Sequence, residues 1–143
     1  MVVLNIGENN KMCEPASRNK ELFNPTYLIS MYHKLSGQSW RFIPYVSDFT
    51  EDYLARFDTF YINIDYSIPQ SLTGNTTSGS TNVHLIEGDY WISIYEQYST
   101  TNLDPTKAFN KVVETFGYVV PPTETNPTYS GDNYEYKVYE NDD

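Results

Sequence analysis

Hydrophobic and polar residues alternate along several short segments of the chain, as expected for β-strands that bury one face. The clearest case is residues 58–66, in which four side chains are predicted to share the buried face: Phe60, Ile62, Ile64 and Tyr66. Residues 89–98 repeat this two-residue period, with three side chains predicted on one face: Tyr90, Ile92 and Ile94. Trp91 falls on the opposite face of the same predicted strand.

Further strands are predicted from runs of β-branched and aromatic residues. Residues 26–33 form one such run, and residues 39–47 form a second one after a turn at Gly37. Pro44 cannot donate a backbone hydrogen bond, so the second strand is expected at a sheet edge or at a bulge. Shorter strands are expected at residues 83–85 and, within residues 107–120, at either 110–115 or 117–120. The polar residues 70–82 are expected to form an exposed loop.

The spacing of these segments predicts the fold class and the domain organisation. About six strands follow one another with a turn every ~8–12 residues, which is the spacing of an all-β sandwich. We therefore expect an all-β fold, an antiparallel β-sandwich of the immunoglobulin-like or jelly-roll-like type, over residues 25–120. Residues 1–24 are predicted to be an extended N-terminal arm, and residues 121–143 an extended acidic C-terminal tail.

Both predicted arms contain apolar side chains that a solvated linker does not need. These are the candidate partner-contact residues: Val3, Leu4, Ile6, Tyr134, Tyr136, Val138 and Tyr139. An extended arm that adds main-chain hydrogen bonds to a neighbour's sheet edge would use such residues as anchors. Two alternatives remain open at the sequence level: the arms pack on their own domain, or they stay disordered, with the tail acting only as a solubilising segment.

Composition restricts the classes of partner. The formal net charge of −10 argues against direct binding to nucleic acid or to an anionic membrane surface. No segment is apolar over the ~20 residues that a membrane-spanning helix needs, and we expect synthesis without a secretory signal. The 14 Tyr, 7 Phe and 2 Trp favour strands and protein contact surfaces.

The sequence offers little material for catalysis. His33 and His84 lie far apart with no partner at metal-ligand spacing, and Cys13 has no activating base nearby in sequence. The glycines form neither a phosphate loop nor a dinucleotide fingerprint. We therefore expect no enzyme activity, no cofactor and no metal. A carbohydrate-binding module is the alternative, with four aromatic residues that could stack on sugar rings: Trp40, Trp91, Tyr61 and Tyr95.

Five short stretches within residues 24–120 resemble a known group of proteins. They read NPTYLI at 24–29, GDYW at 88–91, YEQ at 95–97, STTNLDP at 99–105 and VVETFG at 112–117. Together they resemble small virion proteins of tailed phages that infect Bacteroidetes, the crAss-like phages among them. The resemblance implies an auxiliary capsid (decoration), head-fibre or neck component in a virion assembled in the host cytoplasm. Its partners would be capsid, head-fibre or neck proteins of the same particle, or further copies of the chain. The resemblance transfers no functional residues.

Overall fold

The chain is mostly β-structure, and a computed structural model describes residues 1–46, 58–77 and 80–121. In chain order the strands are β1 (Val2–Asn5), β2 (Asn9–Glu14), β3 (Thr26–His33), β4 (Ser39–Phe42), β5 (Tyr45–Val46), β6 (Asp58–Ile64), β7 (Asn75–Thr77), β8 (Ser80–Val83), β9 (Gly88–Gln97) and β10 (Asn110–Val120). A short helical turn, α1 (Ala16–Asn19), and a 3-10 turn at Pro105–Lys107 complete the described elements. No described helix has the length and apolarity required to span a bilayer.

The strands form two mixed sheets. The first sheet has the order β1-β10-β9-β3-β4, with antiparallel neighbours except for β1, which runs parallel to β10. The second sheet has the order β2-β6-β8-β7, and β5 also pairs with β6. In this sheet β6 and β8 are parallel. The expected all-β class is thus found, whereas the expectation of purely antiparallel sheets is wrong.

The two sheets share one hydrophobic core, built by the period-two alternation of their strands. Tyr90, Ile92 and Ile94 of β9 contribute to it from the first sheet, and all three are fully buried. Phe60, Ile62 and Ile64 of β6 contribute from the second sheet and are also fully buried, as their alternation predicted. Trp40 is buried in the same core, where its ring meets Tyr90 edge-on at 5.9 Å between centroids.

The prediction of a separate N-terminal arm is wrong for the first strands, because β1 and β2 are integral parts of the two sheets. Leu4, Ile6 and Met12 are at most 6% exposed and belong to the core. The Asn10 side chain holds the turn between these strands. Its Oδ1 accepts from Asn5 N–H at 2.7 Å, and its Nδ2 donates to the carbonyl oxygens of Asn5, Glu8 and Ile62 at 3.0, 3.1 and 3.2 Å.

The segment between α1 and β3 is also attached to the domain, at Glu21 and Leu22. The carboxylate of Glu96 is fully buried and accepts hydrogen bonds from the backbone N–H groups of Glu21 and Leu22, both at 2.9 Å. The Asn110 side-chain amide donates to the same carboxylate at 3.2 Å. A buried carboxylate requires such donors, because without them its desolvation would be strongly unfavourable. The predicted tail beyond Pro121 lies outside the described residues.

The predicted strands are confirmed in part. Residues 26–33 form β3 as expected. Residues 110–120 form one continuous strand, whereas a strand was expected at only one of the two shorter segments, 110–115 or 117–120. The run predicted at residues 39–47 is split at Ile43 and Pro44, where the chain leaves the first sheet and enters the second as β5. The residues predicted as a polar loop, 70–82, contain β7 and most of β8, because Thr and Asn here pair across strands.

Candidate binding surface on the first sheet

Within the described residues, no group of three or more His, Cys, Asp and Glu side chains is arranged to hold a metal ion. His33 is 4% exposed, and its ring fastens the turn after β3. Its Nδ1 accepts from Ser36 N–H at 3.0 Å, and its Nε2 lies 3.0 Å from the carbonyl oxygen of Glu87. Both contacts are satisfied by the neutral ring that carries its proton on Nε2. This histidine therefore has a structural role.

His84 packs against the loop that follows β6. Its ring stacks on Tyr66, with centroids 4.3 Å apart and an interplanar angle of 15°, and its Nδ1 lies 3.0 Å from the Ile68 carbonyl oxygen. Tyr66 is 45% exposed, so the prediction that it shares the buried face of β6 is wrong. Hydrogen bonds from the side chain and backbone of Ser67 lower the pKa of the neighbouring Asp65 carboxyl. These contacts shape the loop.

The outer face of the first sheet carries three aromatic side chains in one row. Tyr32 of β3 lies directly opposite Trp91 of β9, and Trp91 lies directly opposite Phe116 of β10. They are 44%, 39% and 44% exposed, respectively. The Trp91 and Phe116 rings are in contact, with centroids 4.3 Å apart. We call Tyr32, Trp91 and Phe116 the aromatic row.

The register of the core positions fixes this row. Met31 and Ile92 are paired and fully buried on the inner face, so Tyr32, which follows Met31, and Trp91, which precedes Ile92, must point outward. Gly117, the residue after Phe116, allows β10 to pack closely against β9 on the inner face, because a Cβ at this position would overlap the side chain of Ile92. Phe116 is therefore held beside Trp91 on the outer face by the packing of the opposite side of the sheet.

Lys34 lies over the aromatic row. Its Nζ is 4.7 Å from the ring centroid of Trp91 and 4.6 Å from that of Phe116. A cation over an aromatic face is stabilised by about 0.5–1 kcal/mol at an exposed site. The ammonium group thus occupies the space above both rings, which is the space that a flat apolar ligand would need.

An aliphatic side chain extends this surface. Val3 of β1 is 53% exposed and is paired with Tyr118, two residues beyond Phe116 on the same face of β10. We call the aromatic row together with Lys34 and Val3 the aromatic face. Trp and Tyr are enriched among the residues that dominate the binding energy of protein interfaces. Exposed apolar side chains grouped on one face of a sheet often mark a site that another protein covers.

No protein-family model, curated protein or solved structure matches this chain. The aromatic face is therefore interpreted from its own geometry. Among the predicted partner-contact residues, Val3 lies on this face, whereas Leu4 and Ile6 are 0% and 6% exposed and belong to the core. The remaining four lie outside the described residues: Tyr134, Tyr136, Val138 and Tyr139.

The four aromatic residues proposed for sugar stacking are distributed over three environments. Trp40 is fully buried, so it cannot meet a ligand. Trp91 is exposed beneath Lys34. Tyr95 and Tyr61 are half-buried on the outer faces of the first and the second sheet, respectively. The structure does not bring these four side chains together on one surface.

Sequence reasoning did not identify Tyr32, Phe116 or Lys34 as site residues. The alternation of β3 and β10 contained the signal, since Tyr32 and Phe116 are exposed aromatic residues that fall out of phase with the buried positions. Their juxtaposition with Trp91 depends on which strands are neighbours in the sheet, and the sequence does not state that order.

Proposed function

We propose that this protein is a non-catalytic structural protein that binds a partner protein through the aromatic face, as an auxiliary component of a tailed-phage virion. The observation that carries the binding role is the aromatic row, in which three adjacent strands each expose one aromatic ring. Membership of a virion is supported by the sequence resemblance alone. The partner would be a capsid, head-fibre or neck protein, or a second copy of the chain.

The fold is consistent with this proposal. Two mixed sheets around one core support assignment to the β-sandwich class, for which immunoglobulin-like and jelly-roll-like arrangements are the two candidates. Docking through a flat sheet face is favourable for such a domain, because the backbone beneath the contact residues is already ordered. Binding then requires mainly the fixing of side chains and the release of water.

The partner is expected to contact the rings by their edges or to displace Lys34. The ammonium group covers the faces of Trp91 and Phe116, so flat stacking of a sugar ring would first have to remove a favourable cation–π contact. A protein partner can instead supply a carboxylate to Lys34 while its apolar side chains pack around the rings. This geometry favours a protein over a carbohydrate at the aromatic face.

The test compares two phenylalanine variants. Phe116→Ser alters the aromatic row, whereas Phe109→Ser alters a phenylalanine that is 58% exposed and lies before the start of the same strand. Particles are purified from infected cells that supply each tagged variant, and the amount of the protein per particle is measured by quantitative mass spectrometry. We expect Phe116→Ser to reduce incorporation at least ten-fold and Phe109→Ser to leave it unchanged.

Two results would contradict the proposal, and they are distinguishable. Absence of the wild-type protein from purified particles would refute the virion assignment. Equal incorporation of both variants would refute the assignment of the aromatic face as the contact surface. Far-ultraviolet circular dichroism of both variants establishes that the sheets are intact. Analytical ultracentrifugation of the same proteins shows whether the aromatic face joins two copies of the chain.

A further inference from the structure

The outer face of the second sheet carries a row of four asparagines on four neighbouring strands. Asn9 of β2 is paired with Asn63 of β6, Asn63 with Asn82 of β8, and Asn82 with Asn75 of β7. Paired residues project to the same side of a sheet. Because the residues on either side of Asn63 along β6 are fully buried, the row points away from the core. We call these four residues the asparagine row.

The row is ordered and accessible. Neighbouring strands are ~4.8 Å apart, so four strands place the amides over ~14 Å in a line across the sheet. The Asn63 Nδ2 donates to the Asn82 Oδ1 at 2.7 Å, which orients the two central amides relative to each other. Asn9 and Asn75, at the two ends, are exposed, and the two central residues are half-buried.

Two tyrosines flank the row on the same face. Tyr61 is the next outward residue of β6, and it is paired with Tyr45 of β5. Their ring centroids are 5.9 Å apart, and both side chains are half-buried. A tyrosine offers a flat apolar ring together with a hydroxyl group. Amide groups and aromatic rings thus lie side by side over one end of β6.

The charge of this face is also informative. The chain carries 19 Asp and Glu residues, yet the outward positions of the described strands in the second sheet include no carboxylate. Lys11, paired with Tyr61, is a charged residue at these positions, and Asp65 follows directly after the end of β6. A face that is polar but almost uncharged matches a neutral partner with many hydrogen-bonding groups.

We propose that the asparagine row, with Tyr45 and Tyr61, binds a neutral polysaccharide chain that lies across the strands. An asparagine amide has both donors and an acceptor, which complement the hydroxyl groups along a sugar polymer. Asn63 and Asn82 use one of these groups each on one another, and the ligand would meet the groups that remain. The tyrosine rings would contact the apolar faces of the sugar units. This site lies on the other sheet from the aromatic face, so the proposal does not depend on the protein contact proposed above.

Affinity electrophoresis tests the proposal with named polymers. Native gels contain hydroxyethyl cellulose, mannan or dextran as neutral probes, or alginate as an anionic one, and the retardation of the full chain is compared with that in a polymer-free gel. We expect at least one neutral polymer to retard the protein and alginate to have no effect. Asn63→Ala and Tyr61→Ala should each weaken the retardation about three- to ten-fold, as for the loss of one hydrogen bond or ring contact.

Matched variants distinguish polysaccharide binding by the asparagine row from a purely structural role of its residues. Tyr95→Ala removes a half-buried tyrosine on the other sheet and should leave the retardation unchanged, as should Trp91→Ser. Asn75→Ala changes an exposed residue at the end of the row, so we expect this variant to fold normally and to be retarded less than the wild type. In amide nitrogen–proton spectra, the side-chain NH2 signals of the row should shift when the retarding polymer is added.

Three outcomes would overturn the assignment. The first is that no neutral polymer retards the wild-type chain. The second is that the folded Asn63→Ala, Tyr61→Ala and Asn75→Ala variants are retarded as strongly as the wild type. The third is that the row variants lower stability or particle incorporation without any polymer binding, which would assign the row to sheet stabilisation or to a protein contact.

Discussion

Replacing Asn10 with alanine should destabilise the protein by about 2–3 kcal/mol. The side chain is 7% exposed and makes four hydrogen bonds that join the β1–β2 turn to β6. A typical hydrogen bond contributes a net ~0.5–1.5 kcal/mol, and a buried group left without a partner costs ~1–3 kcal/mol. Asn5 is half-buried and Glu8 is exposed, so water can replace part of the loss there. The Ile62 carbonyl oxygen, in the central strand, has less access to water.

Urea unfolding measures this change directly. With a denaturant slope of ~2 kcal/mol per molar urea, the Asn10→Ala midpoint should fall by about 1–1.5 M. Lys11→Ala, at the exposed next position of the same strand, should change stability by less than ~0.5 kcal/mol. Asn10→Asp should be at least as unstable as Asn10→Ala at neutral pH, because its carboxylate would face three carbonyl oxygens. Equal midpoints for Asn10→Ala and Lys11→Ala would refute the conclusion that the first strands are integral to the fold.

Two further predictions concern the core. Ile62→Ala should destabilise the fold by about 2–5 kcal/mol, measured by urea unfolding, because the side chain is fully buried between the sheets; a change below 1 kcal/mol would show that β6 does not pack as described. Burial raises the pKa of the Tyr90 phenol, which donates to the Ile86 carbonyl oxygen at 2.6 Å. Above pH ~10 the unfolded chain then loses this proton while the folded chain keeps it, so stability should fall as pH rises. Tyr90→Phe should make this decline shallower in unfolding experiments between pH ~9 and ~12, a range that spans the ordinary tyrosine pKa. An unchanged slope would argue against the burial of the phenol.

Local alternation predicted which side chains within a strand face the core, but it failed at Tyr66, which follows the end of β6 and is 45% exposed. It placed Phe60, Ile62 and Ile64 together, and all three are fully buried. It also placed Trp91 on the other face of the strand from Ile92, and this is the face that the structure leaves exposed. These successes share a cause, because side-chain direction in a strand is a property of neighbouring residues and requires no knowledge of the rest of the fold.

The order of the strands could not be obtained in the same way. The parallel pairing of β1 with β10 joins residues more than 110 positions apart, for example Leu4 with Val119, and no local pattern encodes such a contact. The N-terminal residues were consequently interpreted as an arm, although Leu4 and Val119 are both fully buried. The polar strands β7 and β8 were missed for a related reason. Their Thr and Asn residues lack an apolar period, and their structure is determined by pairing: β8 pairs with β6, and β7 pairs with β8.

The two proposed contact surfaces use the same structural principle. In each case the contact side chains are the outward residues of strands whose register is held by buried pairs, such as Met31 with Ile92 in the first sheet and Met12 with Phe60 in the second. Fixed register means that Tyr32, Trp91 and Phe116 are already aligned before a partner arrives. Besides the loss of translational and rotational freedom that every association carries, binding then costs ~0.5–1.5 kcal/mol of side-chain entropy for each immobilised residue, with no backbone ordering added. Because the inner residues alone determine the core, the outer residues of the two sheets are free to differ in chemistry. One sheet can therefore present aromatic rings beneath a lysine while the other presents a line of amides, and variants on one face should leave binding at the other unchanged.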